Sequence, residues 1–164
     1  MNNELQKKLN KAQTNKKANR LFLQKIGKNP PKNLDYLFAN GNEDYFSNNS
    51  CLDCANCCKT TSPIFRDVDI ERIASHLKIK PGDFASRYLH LDEDHDWVLN
   101  TSPCPFLDND NYCKIYDVRP RACREYPHME RKNISQIMDL TFRNTLVCPA
   151  VADVVEKIKQ LTKS

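Results

Sequence analysis

Four cysteines within eight residues, Cys51-Leu-Asp-Cys54-Ala-Asn-Cys57-Cys58, constrain this chain more than any other feature. That density exceeds what packing or chance supplies. A C-x-x-C pair lets a tight loop turn two thiolates toward one cation, which is why it recurs in zinc knuckles. The two three-residue steps from Cys51 to Cys54 to Cys57 also match the opening of a bacterial ferredoxin run. Both readings predict metal, and they differ in which metal. Adjacent side chains diverge in extended and turn conformations, so Cys57 and Cys58 are expected to face different ways. One would enter the site, and the other would face a second site or a packed wall.

Cys104, Cys113, Cys123 and Cys148 bring the total to eight. Eight thiolates suit two four-ligand sites, or one four-ligand site with four further thiols. Disulfides are the competing use, and they depend on the redox compartment. The opening MNNELQKKLNKAQTNKK lacks the apolar core of a secretory signal. No stretch approaches the roughly 18 apolar residues of a membrane span. The chain is therefore expected to be cytoplasmic, without a membrane span and with its thiols reduced. Clustered, reduced Cys read as metal ligands or redox groups, and all eight are candidate ligands.

Composition narrows the field further. Gly27, Gly41 and Gly82 are the three glycines. They lie too far apart to write a dinucleotide fingerprint, a phosphate-cradling P-loop or a G-x-S-x-G nucleophile elbow. With 164 residues, a large enzyme barrel is excluded by length. Leu, Ile, Val and Phe make up 38 of those residues, or 23%. That is just above the roughly 20% below which a charged chain stays unfolded. A structural metal, with about 10–16 kcal/mol of binding free energy coupled to folding, would compensate for so modest a core.

The net charge of +4 conceals two unlike regions. Residues 1–34 carry nine Lys/Arg and one acid, and no Cys precedes Cys51. This predicts a basic helical N-terminal extension over 1–34 and a cysteine-cluster domain over 35–164. Leu5, Leu9 and Ala12 recur at helical spacing, followed by Leu21, Phe22 and Ile26, with a stop at Gly27 and Asn29-Pro30-Pro31. A cationic helix suits a nucleic-acid or membrane-surface tether. The thin stripe and the lack of interleaved Trp or Tyr favour instead a solvated helix packed on the domain.

After Cys58 the elements are short. Asp67 to Ile79 predicts a helix with Ile70, Ile73, Ala74 and Leu77 on one face and acids in its first turn. Pro81 opens another, carrying Phe84, Tyr88 and Leu89. Trp97 to Leu99 reads as a strand. Phe106-Leu107 and Tyr112 to Tyr116 flank Asp108-Asn109-Asp110-Asn111, which predicts a hairpin there. Gln136 to Val147 fits helix or strand. Pro149 opens a closing helix with Val151, Val154, Val155, Ile158 and Leu161 on its stripe. The predicted fold class is α+β: a small, irregular, mainly helical domain organised around a cysteine metal site, with a short β-hairpin and the N-terminal basic helix.

Four thiolates on Zn²⁺, or on a 4Fe–4S core of charge +2, leave a formal −2 that needs nearby cations. Lys59, Arg66, Lys114, Arg119, Arg121 and Arg124 are the candidates. His128 follows Cys123 at a spacing a zinc site can use, but with eight Cys available a surface role is the default. Asp92, Glu93, Asp94 and Asp96 match no EF-hand and read as a solvated loop. A radical-SAM motif is absent in the required order. No catalytic constellation is identified, since a hydrolytic zinc site needs an open position and a placed base.

CLDCANCC, CPFLDNDNYCKIY, RPRACREYP and the final Cys148-Pro149 together resemble the YkgJ-like cysteine-cluster family over about residues 50–155. Where that family often has Gly after the second Cys, this chain has Ala55. The resemblance implies a zinc- or iron-chelating domain whose eight cysteines hold metal, with no reaction attached. Three functions follow: a zinc- or iron-binding module with a structural or metal-handling role; an iron–sulfur protein in electron transfer, the one reading that would make it an oxidoreductase; and a nucleic-acid-binding module with a metal-stabilised fold. The partners implied are a metal ion, an unidentified protein and, less favoured, nucleic acid through the basic helix.

Overall fold

In the computed structural model, which describes residues 3–162, nine α-helices and two strands follow in chain order among the described residues. They are α1 Asn3–Thr14, α2 Lys16–Lys28, α3 Leu34–Phe46, α4 Asn56–Thr60, α5 Asp67–His76, α6 Pro81–Tyr88, β1 Leu89–Leu91, β2 Trp97–Leu99, α7 Arg121–Glu125, α8 Met138–Thr145 and α9 Pro149–Leu161. Single 3₁₀ turns occupy Cys51–Asp53, Tyr116–Val118 and Ile134–Ile137. This is the mainly helical α+β class that the sequence predicts. None of the described helices is long and apolar enough to cross a membrane.

The chain divides into two compact units. The first joins the N-terminal part through Cys54 to the segment from Pro127 onward, and the second is the insert Ala55–Tyr126. In the first unit α9 packs against α3, α1 and α8, and α2 packs against α8. Leu5 from α1, Leu23 and Ile26 from α2, Phe38 from α3 and Val151, Val154, Val155 and Ile158 from α9 share one buried core. The basic segment thus docks its stripe while Lys8 and Lys11 pair with Asp153 and Glu156 of α9.

Details of that stripe differ from the sequence reading. Leu23 is buried and Leu21 is exposed, because α2 restarts at Lys16 and its inward face is offset from that of α1. Gly27 does not stop α2 but lies within it. A Cβ there would stand 2.8 Å from Met138 Cγ, so its role is close approach to α8. Gly41 has the same role in α3, where a Cβ would meet Val154 Cγ1 at 2.8 Å. The ambiguous span from Gln136 resolves as the end of a 3₁₀ turn followed by α8. Asp35 anchors that region, accepting the backbone N–H groups of Asn133 and Ile134 at 2.7 and 3.0 Å.

The second unit has a smaller, more aromatic core: Phe65, Ile70, Ile73, Ala74, Phe84, Leu89, Leu99, Phe106 and Ile115. Phe84 is flanked by Phe65, Tyr88 and Phe106. Its hairpin is antiparallel β1–β2, with Leu89 opposite Leu99 and Leu91 opposite Trp97. The sequence placed a hairpin at 106–116, where the chain does reverse, with Asp108 N–H bonded to the Tyr112 carbonyl and Lys114 N–H to the Phe106 carbonyl, both at 2.8 Å, but forms no strands. Only one bridge, Leu107 to Cys113, forms there. The chain then turns immediately, with Tyr116 N–H bonded to the Cys113 carbonyl at 3.1 Å, so no ladder can extend. The acidic run occupies the true hairpin loop, where Asp92 Oδ1 accepts the amides of Asp94 and Asp96, both at 2.9 Å. These acids shape a turn.

Candidate metal centre

The second unit contains Cys57, Cys58, Cys104, Cys113 and Cys123, and the first contains Cys51, Cys54 and Cys148. None of the eight is joined in a disulfide. Each group has its own scaffold. Ala55 takes a left-handed conformation, φ 46°, immediately before α4, at the position where the resemblance expects Gly. α4 then carries the adjacent pair. Cys104 is tied to it through its backbone N–H, which donates to the Cys58 carbonyl at 2.8 Å. Ser102 adds a bond from Oγ to the Lys59 carbonyl at 2.9 Å. Cys113 sits at the single bridge opposite Leu107. Cys123 lies in α7, its N–H bonded to the Pro120 carbonyl at 3.0 Å.

Electrostatics shows which thiols gather. Burial pushes the Cys123 thiol up to about 12, and Cys58, Cys104 and Cys113 raise it further. Burial likewise pushes Cys104 up to about 11, with Cys58 and Cys113 adding to the shift, while the amides of Phe106 and Leu107 favour its thiolate. Cys113 is raised by burial and by Cys58, against the Ile115 amide and Arg119. Cys58 moves the other way, to about 7, because Cys57 hydrogen-bonds to it and Lys59 lies near, against the cost of burial. Cys58 is thus the thiol of this group most readily ionised, and it interacts electrostatically with the three raised ones. Of the predicted cations, Lys59 and Arg119 act on the thiols, whereas Lys114 and Arg121 pair with Asp108 and Glu125.

The adjacent pair does not diverge as expected: Cys57 Sγ and Cys58 Sγ stand 3.9 Å apart. A tetrahedral zinc–sulfur site with bonds of about 2.3 Å has an edge of about 3.8 Å, so that pair already has the spacing of two ligands. Among the described residues no three His, Cys, Asp or Glu side chains converge to ion-holding distance. The thiols are gathered rather than closed, and a bound ion would have to draw them inward.

The first unit offers a smaller group. The 3₁₀ turn Cys51–Asp53 is capped by Ser50, whose N–H reaches Asp53 Oδ2 at 2.8 Å while Leu52 N–H reaches Ser50 Oγ at 3.2 Å. Cys148 opens α9. Burial pushes its thiol up to about 11, Cys51 and Cys54 raise it further, and the first-turn amides of Val151 and Ala150 oppose the shift. Tyr45 is raised by burial and then by Cys148, Cys54, Asp153 and Asp53. Its phenol therefore stays protonated, an O–H donor beside these thiols. His128 belongs to the first unit and Cys123 to the second, so the spacing that paired them on paper spans two units.

The donor set, soft sulfur backed by amides and cations, fits zinc or iron and suits neither calcium nor magnesium. A thiol-rich metal chelator is the class this arrangement defines. Residues 50–144 match the CxxCxxCC family, described as "Putative zinc- or iron-chelating domain", and the chain belongs to that family. Seven of the eight cysteines fall in the matched span, and Cys148 lies beyond it. An uncharacterized protein of Methanocaldococcus jannaschii, MJ0661, is 35% identical over 81 residues, covering 48% of this chain and 43% of that protein. The chain thus spans less than half the length of that relative. No solved structure matches.

The sequence named every thiol but missed the residues that hold them. Asp69 and Arg72 bind the backbone just before Cys123. Asp69 read only as an acid suited to a helix N-terminus, and nothing in its spacing pointed to residue 121.

Proposed function

We propose that this protein binds zinc or iron through two thiolate groups, one in each unit, and that the ion of the second unit is structural. Cys58, Cys104, Cys113 and Cys123 would supply four thiolates there, with Cys57 adjoining Cys58. Cys51, Cys54 and Cys148 would form the group in the first unit. The observation that carries the reading is the grouping of three part-buried thiols of raised pKa with Cys58, whose pKa is depressed and whose sulfur stands 3.9 Å from that of Cys57. A divalent ion would displace the protons of those neutral thiols and offset the repulsion among the thiolates so formed, which links binding to folding. The Cys104 and Cys113 sulfurs already meet backbone amides, the surroundings that orient and tune metal thiolates. Reduced thiols of this kind suit a cytoplasmic setting.

Anaerobic purification followed by metal and acid-labile sulfide analysis tests the reading. One to two zinc or iron ions per chain without sulfide supports it. Sulfide in proportion to iron would replace it with the iron–sulfur, electron-transfer reading. A chain purified without metal and unable to take up either ion would end it.

A further inference from the structure

The stretch between Cys113 and Cys123 must hold two thiols in one place, yet it has little regular structure: one 3₁₀ turn at Tyr116–Val118 and then the start of α7. What fixes it comes from α5. Arg72 donates from Nε to the Val118 carbonyl at 3.3 Å and from Nη2 to the Arg119 carbonyl at 3.0 Å. The same Nη2 bonds Asp69 Oδ1. Asp69 Oδ1 also accepts the Arg121 backbone N–H at 3.2 Å, and Oδ2 accepts that of Arg66 at 3.2 Å.

Asp69 is 1% exposed, a degree of burial that an ordinary helix-start acid does not have. Its carboxylate is held by three donors, and the guanidinium beside it grips two consecutive carbonyls. Such a planar fork is a geometry Arg supplies and Lys cannot. The segment it grips contains Arg119, whose charge favours the thiolates of Cys113 and Cys123. It runs on to the Pro120 carbonyl that takes the Cys123 N–H.

We propose that Asp69 and Arg72 are positioning residues for the metal site of the second unit, a clamp from α5 that sets where Cys123 and Arg119 stand relative to Cys113. This inference rests on the thiolate reading above. Neither residue touches the ion. They act on its ligands through the backbone, and outer partners of this kind typically change metal affinity by about 10–100-fold.

The test uses the full chain loaded with zinc, following release to an excess of a chromophoric chelator. The phase belonging to this site is the one missing in Cys123→Ser. Arg72→Lys keeps the charge and removes the fork, and Asp69→Asn keeps the shape and removes the charge. Ile73→Val, on the same helix and fully buried, is the control for plain destabilisation. Arg72→Lys and Asp69→Asn are expected to release zinc about tenfold faster or more. They should also alter the sulfur-to-metal charge-transfer band of the cobalt-substituted protein, while Ile73→Val does neither at a comparable loss of melting temperature. If Asp69→Asn does not fold, Arg72→Lys decides alone. Release rates that follow melting temperature on one line for all variants overturn the inference. A wild-type chain that holds no metal defeats the thiolate reading and the clamp with it, whereas a loaded wild type with unaltered variants defeats the clamp alone.

Discussion

The two units solve the same problem by different means. The first buries aliphatic side chains from five helices, with Phe38, Val151, Val154 and Ile158 at its centre, and has three thiols at its margin. The second has fewer core residues, a two-stranded sheet of three residues per strand, and five thiols. Packing alone supports a helical bundle. A small irregular domain commonly needs a staple, and here the staple would be metal. Within one short chain, dependence on metal should therefore differ sharply between the units.

The largest expected effect is the removal of that metal. A strong chelator under reducing conditions should unfold the second unit, since an ion at such a site contributes on the order of 10 kcal/mol. Trp97, the single tryptophan, lies in this unit and reports on it by fluorescence, whereas far-ultraviolet dichroism reports mainly the helices of the first. Trp97 emission should shift while most helical signal persists. Loss of both signals together, or of neither, would break the comparison. Acid should act in the same direction. Cys104 and Cys123 lie near 11 and 12, and Cys113 is also raised, so these thiols carry protons at neutral pH without metal. Cys58 gains its proton as pH falls through about 7. Metal must displace them, so apparent affinity should fall by roughly three to four decades per pH unit below neutrality. The metal-free unit has the opposite slope. Burying neutral thiols favours folding below their unfolded pKa near 9, and this contribution is lost as pH rises through the raised folded values.

Phe38→Ala comes next. It removes a fully buried ring from the first core and should cost that unit about 3–5 kcal/mol. Thermal melting by dichroism should show the loss, with the metal-linked Trp97 signal unchanged. A parallel loss of metal would mean that the second unit cannot stand without the first.

The smallest effect belongs to Ala55→Gly. A non-glycine residue at φ 46° bears roughly 1–2 kcal/mol of strain, partly offset because glycine adds freedom to the unfolded chain. A gain of about 0.5 kcal/mol in the Trp97 transition is expected, without change in the helical one. A drop instead would show that the Ala55 methyl contributes more by packing than its backbone costs.

Much of the fold was legible because its signals are local. Leu5, Leu9 and Ala12 lie on the buried face of α1, Ile70, Ile73 and Ala74 on that of α5, and Val151 to Ile158 on that of α9, as their spacing requires. The hairpin was misplaced because Leu89 to Leu91 follow α6 without a break, and only pairing with Trp97 to Leu99 reveals a strand. The division of thiols between units was not legible either. Cys54 and Cys57 belong to one motif in sequence, yet the chain passes from one unit to the other between them, at a left-handed Ala55. The grip of Asp69 on residue 121 is a long-range contact that no window of sequence contains.

The insertion of one unit within the other also orders events during synthesis. Helices α1 to α3 emerge first, presenting Leu5, Leu23, Ile26 and Phe38, but their partner α9 comes last, after the whole of Ala55–Tyr126. At about 5–20 residues per second, roughly 5–20 seconds separate the end of α3 from the start of α9. The thiol-rich insert is made within that interval and is complete 22 residues, roughly 1–4 seconds, before α9 begins, while the apolar faces of the nascent bundle remain uncovered. On the ribosome, then, the insert proposed to depend on metal can complete its fold first, and the helical unit is the one left exposed to chaperones.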